Sequence, residues 1–339
     1  MKILGIETSC DETAAAVLSE GRTVLSSIVL SQDEIHAPYG GIVPELASRQ
    51  HISSIALVVE ESLQRARIKI KDIDAYAVTQ GPGLIGSLLV GLSFAKGLAY
   101  YFQKPLIPVD HLQAHIESAF LDNKKITFPV LALIVSGGHT SIVFMKKDLN
   151  YQLISRTRDD AAGEALDKIA KVLDLGYPGG PIIDKLAANG DDRRFAFALP
   201  QMTDKSLDFS FSGLKTSALK KIKEHKISKK HPQFVDFVAS FQRAIIRALL
   251  SNLGQALTEF KPSSLILCGG VARNKKLRQT FEELARQHHL PVFIPSPQYC
   301  TDNAAMVAAL GLKKLSCGKR QTSVLALNAY PRFPSIKSS

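Results

Sequence analysis

The sequence predicts an α/β protein made of two similar β-rich halves. Three observations carry this. A buried apolar strand, residues 2–8, opens the chain and ends in the polar turn Ser9-Cys10-Asp11-Glu12-Thr13. The chain then begins again: residues 130–135 form a second apolar strand, ending in Ser136-Gly137-Gly138-His139-Thr140. A third strand, residues 264–268, ends in Gly269-Gly270-Val271-Ala272 and feeds a helix. At 339 residues the chain is long enough for two lobes rather than one core.

The elements follow in order. Residues 13–18 and 23–30 continue in β-rich alternation after the first strand. His36-Ala37-Pro38-Tyr39-Gly40-Gly41 is a turn. Within 43–66 the apolar positions Ile52, Ile55, Ala56, Val59 and Leu63 recur at helical spacing. A strand at 75–79 meets the breaker Gly81-Pro82-Gly83, and a helix at 85–101 and a strand near 106–109 follow. After the restart, 140–144 alternates as a paired strand, and helices are predicted at about 163–173, 181–188 and 234–260. A helix at 274–288 follows the third strand, and a last helix opens at 303. The lobes are expected at 1–128 and 129–302. The last helix, about 303–320, is expected to pack back near the interlobe site, and 321–339 is a tail with no recognisable site.

Composition narrows the class. Hydrophobic residues at 45% and charged residues at 22% are ordinary for a globular protein. The net charge of +11 suggests an anionic partner such as RNA, a nucleotide or lipid headgroups, although many basic proteins bind nothing anionic. Lysines cluster at 215–230, with Lys275, Lys276 and Arg278 and then Lys313, Lys314, Lys319 and Arg320 behind them; such clusters track phosphates, although a solvated helix face explains any single one. Cys10, Cys268, Cys300 and Cys317 form no CxxC pair, which disfavours a zinc knuckle or a disulfide framework and fits a reducing cytosol. The opening lacks the apolar core of a signal peptide. The richest apolar stretch, residues 84–95, is broken by Gly86, Ser87, Gly91 and Ser93 and reads as too short to cross a bilayer. A cytoplasmic protein is expected.

Glycine-rich strand ends let backbone N–H groups approach a phosphate, and a following helix N-terminus favours negative charge. One such turn is a structural turn; three in one chain point to a nucleotide. The order of these turns resembles the actin, sugar-kinase and Hsp70 ATPase superfamily. The chain has no Walker A motif. In Asp110-His111-Leu112-Gln113-Ala114-His115, His111 and His115 share one face if the segment is helical, a spacing that suits metal capture by two imidazoles. Two unrelated histidines are the alternative. A zincin needs HExxH, and Leu112 stands where its general base would be. Asp302 is the candidate third ligand, although an Asp before a helix is more often an N-cap. Two imidazoles and one carboxylate would leave metal positions open to water or substrate. Asp167 lies on a predicted helix. Gly179, Gly180 and Asp184 lie at a loop-to-helix junction, where glycines permit close approach and a carboxylate can take ribose hydroxyls.

Several segments together resemble one family closely: GIETSCDETAAAV, HAPYGGIVPELASRQH, KGLAYYFQKPLIPVDHLQAHI, LIVSGGHTSI, GEALDKIAK, YPGGPIID, FSFSGLKT, CGGVARN and CTDNAAM. This is the tRNA N6-adenosine threonylcarbamoyltransferase family, formerly called O-sialoglycoprotein endopeptidase. The resemblance runs from residue 1 to about 314. It implies a bilobal actin-like ATPase fold of two duplicated ribonuclease H-like lobes, and a metal, iron(II) or zinc, on His111, His115 and Asp302. It implies an adenylate held by Ile134, Val135, Ser136, Gly137 and Gly138 with Asp167, Gly180, Asp184 and Asn274, and Asp11 and Glu12 near the reaction centre. The implied reaction moves threonylcarbamoyl from threonylcarbamoyl-AMP to adenosine 37 of tRNAs that read codons beginning with adenine. The implied partners are tRNA, a metal-less paralogous subunit and a P-loop ATPase. Rival readings are a small-molecule kinase of the same superfamily, a zinc peptidase and a non-catalytic RNA-binding scaffold.

Overall fold

The computed structural model describes residues 1–123, 125–200, 202–318 and 326–331. Lys319, Arg320, the far end of the expected last helix and most of the tail at 321–339 lie outside the described residues. The chain divides into two compact units, Met1–Asp122 with Asp302 onward, and Asn123–Thr301.

The first unit holds β1 (Lys2–Glu7), β2 (Glu12–Ser19), β3 (Thr23–Ser31), α1 (Asp33–His36), α2 (Pro44–Ala66), β4 (Ala75–Gly81), α3 (Ile85–Phe102), β5 (Leu106–Asp110) and α4 (His111–Asp122). Its sheet runs β3-β2-β1-β4-β5. β1 pairs antiparallel with β2 and parallel with β4. β1, at the centre of the sheet, is buried on both faces, which is why it reads as a continuous apolar run rather than an alternation. Leu4, Ile6, Tyr76 and Val78 pack with Ile55 and Val59 of α2 and Leu92 of α3. Gly5 and Ala77, on alternate positions, meet the last helix of the chain, α11 (Ala304–Ser316). A Cβ on Gly5 would stand 2.4 Å from the Ala304 carbonyl oxygen, and one on Gly311 of α11 would stand 2.4 Å from the Ala77 Cβ. Glycine on both surfaces lets α11 lie close against the sheet.

The second unit holds β6 (Val130–Val135), β7 (Thr140–Met145), β8 (Tyr151–Arg156), α5 (Ala162–Val172), α6 (Gly179–Ala187), α7 (Ser212–Glu224), α8 (Phe234–Phe260), β9 (Ser264–Cys268), α9 (Lys275–Gln287), β10 (Val292–Phe293) and α10 (Pro297–Cys300). Its sheet runs β8-β7-β6-β9-β10, with the same pattern of three antiparallel strands followed by two parallel ones. Phe237, Phe241, Ile245 and Leu249 of α8 build the core against β6 and β9.

Three sequence expectations need correction. β8, α7 and β10 went unread, because α7 carries two buried apolar residues and β10 has two residues. Asp302 belongs to the first unit: it precedes α11, which packs on β1. The linker Asn123–Phe128 opens the second unit instead, where the Thr127 N–H donates to Ser264 Oγ at 3.2 Å. Finally, the apolar stretch near residue 84 is not cut short. Its glycines and serines lie inside an 18-residue helix, α3, long and apolar enough to cross a membrane by length and composition alone. One face of α3, with Ser87, Leu88, Gly91, Leu92, Ala95 and Ala99, is buried in the unit.

Candidate active site and metal centre

α4 begins as β5 ends. Asp110 caps it, accepting the Gln113 N–H at 2.9 Å, and the Tyr330 hydroxyl donates to its other oxygen at 2.7 Å. The helix therefore starts at His111 and stacks His115 one turn on, with ring centroids 4.6 Å apart. Asn303, not Asp302, caps α11, accepting the Met306 N–H at 2.9 Å. Asp302 is thus released from the capping role that its sequence position suggests. Its Oδ1 lies 3.0 Å from His115 Nε2 and 3.6 Å from His111 Nε2. One ligand atom from each of the three residues falls within 4.8 Å of the others.

Glu7, a carboxylate the sequence reading passed over, organises this cluster. It is fully buried at the end of β1. One oxygen accepts the Ser9 N–H at 2.5 Å; the other accepts the Thr79 hydroxyl at 2.6 Å and faces His111 Nδ1 at 3.2 Å. Ser9 Oγ also stands 3.1 Å from that nitrogen. With Nδ1 engaged by a carboxylate, Nε2 is presented to Asp302, the outer-sphere arrangement common around metal-bound histidines. His115 is fully buried, and among the described residues neither of its ring nitrogens has a hydrogen-bond partner. Leaving such atoms unmatched is costly unless something else binds them. Two imidazoles and a carboxylate, one imidazole oriented from behind, fit a divalent transition metal. Burial opposes charge on His111, but Asp302 and Glu7 outweigh it and push its pKa up to about 9. Burial works to raise Glu7, but His111 outweighs it and holds the carboxyl below its ordinary range.

Asp11 and Glu12 follow β1 in the same unit. Burial raises both carboxyls; Asp11's charge lifts Glu12 further, well above the usual range. Asp11 is the more readily ionised member of the pair. His51, fully buried in α2, secures this turn: its Nε2 meets the Cys10 carbonyl at 3.0 Å and its Nδ1 meets Thr13 Oγ1 at 2.8 Å. The Gln32 N–H donates to the Asp11 carbonyl at 3.2 Å. Burial depresses the His51 pKa, leaving a neutral ring with its proton on Nε2.

In the second unit the glycine-rich strand ends gather at one edge, because β6 and β9 are parallel neighbours. Gly163 opens α5 directly on the Ser136 carbonyl, where a Cβ would sit 2.6 Å from that oxygen. Gly269 has φ +94°, and a Cβ there would strike Val135 O at 2.4 Å, so the sharp turn after β9 needs glycine. Above Gly137, Gly138 and Gly180 a Cβ would meet nothing. Asp167 accepts the N–H groups of Gly179 at 2.8 Å and Gly180 at 3.1 Å and so pins the start of α6. Asp184 accepts the Lys275 N–H at 3.1 Å, beside Asn274. Asn274 caps α9 through the Leu277 N–H at 2.8 Å and donates to Gln242 Oε1 at 2.8 Å. Of the candidate residues, Asp167 and Gly180 are directly hydrogen-bonded, Ser136 and Gly137 meet Gly163 at the start of the helix that carries Asp167, and Asp184 binds the residue after Asn274. Ile134 and Val135 are fully buried in the ladder that leads to these turns.

The model of the tRNA N6-adenosine threonylcarbamoyltransferase family matches residues 23–309, most of the chain. The chain belongs to that family. A threonylcarbamoyltransferase of this description from Syntrophus aciditrophicus (strain SB) is 48% identical over 334 residues, covering 98% of each chain. Another, from Staphylococcus haemolyticus (strain JCSC1435), is 49% identical over 309 residues, covering 91% of this chain and 89% of its own. The chain is accordingly an enzyme, a tRNA-modifying transferase. Leu112 is buried and offers no general base beside the histidines. Among solved structures, component A of the Acidaminococcus fermentans (R)-2-hydroxyglutaryl-CoA dehydratase aligns at TM-score 0.58 and 15% identity, over 93% of this chain and 99% of its own. A ROK hexokinase from Thermus thermophilus aligns at 0.52 and 15%, over 94% and 100%. These likenesses establish the bilobal actin-like fold that this threonylcarbamoyltransferase shares with sugar kinases.

Proposed function

We propose that the enzyme transfers the threonylcarbamoyl group of threonylcarbamoyl-AMP to N6 of the adenosine 3′ to the anticodon, position 37, in tRNAs reading codons that begin with adenine, and releases AMP. The observation that carries the site assignment is the buried His111–His115–Asp302 cluster with its unmatched imidazole nitrogens, in a chain of this family. A divalent metal held there, iron(II) in the first instance or zinc, would supply Lewis-acid stabilisation of developing oxyanion charge.

The chain's own residues do the rest. The N–H groups of Gly137 and Gly138 and the open faces of Gly137, Gly138 and Gly180 would accept the adenylate phosphate and sugar closely, with Asp184 available to ribose hydroxyls. N6 attacks the carbamoyl carbon, the bond to the phosphate oxygen breaks, and AMP leaves with both electrons of that bond. N6 is a poor nucleophile, because its lone pair is delocalised into the ring, so removing its proton matters. Of the two carboxyls after β1, Asp11 is the one ionised more readily, and we assign it the N6 proton, with Glu12 as its hydrogen-bond donor. The expected partners are tRNA, the metal-less paralogous subunit and the P-loop ATPase, and the expected compartment is the cytoplasm.

The test is reconstitution with unmodified tRNA, threonine, bicarbonate, ATP, the adenylate synthase and the two partner subunits. Digested tRNA is then read by mass spectrometry. Threonylcarbamoyladenosine that depends on this chain and disappears in the doubly substituted His111→Ala, His115→Ala enzyme is the expected outcome. No product with active partners and adenylate present would transfer the case to an ATP-dependent kinase.

A further inference from the structure

Residues 220–230 carry six lysines against one glutamate, Glu224, a net of 6 − 1 = +5 in a chain whose total is +11. The lysines fall on the last turns of α7 and the loop after it. Helix-dipole stabilisation accounts for cations in a last turn, here Lys221 and Lys223, but Lys226, Lys229 and Lys230 lie past the helix end at His225. Lys220 reaches Glu224 at 3.7 Å and Lys229 reaches Asp174 at 3.0 Å, both on the open surface. Lys223, Lys226 and Lys230 are exposed and have no carboxylate within ion-pair distance among the described residues. The ridge is therefore an uncompensated concentration of charge.

Its place in the unit gives it meaning. α7 starts where Asp159 takes the N–H groups of Phe211 at 2.8 Å and Ser212 at 3.2 Å. The neighbouring Asp160 binds Lys215 of α7 and Lys168 of α5. α5 itself starts on the Ser136 carbonyl. α7 thus springs from beside the glycine turns, and its 13 residues carry the lysines about 18 Å away at 1.5 Å per residue. A stem-loop whose adenine reaches those turns extends its backbone over that range. The ridge has few interleaved aromatic residues, which suits phosphate contact rather than base stacking.

We propose that the Lys220–Lys230 ridge is the docking surface for the phosphate backbone of the tRNA anticodon stem. The proposal rests on the reading above that the glycine turns of the second unit hold the adenylate. The test uses the metal-loaded full chain with its reconstituted partners and a Lys223→Glu, Lys226→Glu, Lys230→Glu variant. A control of equal charge change is Lys69→Glu, Lys71→Glu, Lys261→Glu. The ridge variant is expected to raise the tRNA KM at least tenfold at about 0.15 M salt, and to flatten the log–log salt dependence of tRNA binding by about two to three. Its turnover at saturating tRNA and its affinity for threonylcarbamoyl-AMP should stay at the parent level. Equal effects from the control set would reduce the ridge to bulk charge and overturn the proposal. An unchanged KM and salt slope would do the same and leave a solvated face. Loss of binding to anionic vesicles with tRNA binding intact would redirect the ridge to lipid. If the unsubstituted enzyme itself makes no threonylcarbamoyladenosine, the functional reading fails; if it is active and the ridge variant matches it, only the ridge fails.

Discussion

Glu7 shows how one buried carboxylate orients a candidate metal ligand. Its carboxylate holds His111 Nδ1 and turns Nε2 toward Asp302. Glu7→Gln keeps the size and removes the charge. It should weaken metal affinity about 10- to 100-fold in a chelator-competition titration; unchanged affinity would mean that Glu7 only packs. His51 makes a separate prediction with a definite sign. Its pKa is depressed in the folded protein, so the unfolded chain takes up the proton first as pH falls. Stability is therefore fully present above about pH 6.5, the ordinary value, and declines as pH drops below it. His51→Gln, whose amide can still donate to the Cys10 carbonyl, should flatten that decline in thermal melts between pH 7 and 5. An identical slope in both proteins would assign the acid sensitivity elsewhere.

Elements act through the way α11 seats on the sheet. Gly5 and Gly311 remove side chains at the two points of closest approach, and Asp302 stands two residues before the helix. Gly5→Ala would push α11 off β1 and carry Asp302 from the histidines. We expect at least a tenfold loss of metal affinity, with His111→Ala as the reference for complete loss; wild-type affinity in Gly5→Ala would show that the helix position is not limiting. The other clamp is electrostatic. Glu117 of α4 is fully buried between Lys313 of α11 at 2.7 Å and Arg22 at 3.1 Å. Both cations also lie over the Phe120 ring. Lys313→Met should cost about 3 kcal/mol in urea denaturation, the low end for breaking a buried pair because Arg22 remains. Adding Glu117→Leu should restore most of it, since replacing both charges by apolar side chains relieves their desolvation.

At the scale of the molecule, the sequence reveals the restart at residue 130 because both sheets open with the same strand-and-turn signal. That restart is visible in the matching strand orders of the two units. Long elements with regular patterns are read closely: residues 234–260 are predicted as a helix and form one. α7 escapes because its surface is mostly lysine and its apolar contacts are few. The metal cluster is half legible. The histidine spacing shows on the page, whereas Asp302 and Asn303 compete for one cap, and only geometry tells which wins. Glu7 and Tyr330 leave no periodic signal, because each acts through a contact distant in sequence. The stretch 327–331 shows this well: Leu327 is buried in the first unit's core, the Tyr330 N–H donates to the Gln80 carbonyl at 3.1 Å, and its hydroxyl reaches Asp110. Tyr330→Phe should loosen the cap of α4 and lower the melting temperature by a few degrees, about 1 kcal/mol; no change would make the cap independent of this stretch.

The return of the chain at Asp302 also sets a timetable. His115 and Asp302 are 302 − 115 = 187 residues apart. At about 5–20 residues per second of synthesis, the two histidines wait roughly ten to forty seconds on the ribosome for their carboxylate partner. The candidate metal centre is thus completed only after the whole second unit has been made, and a nascent chain arrested before that point carries two imidazoles without their carboxylate.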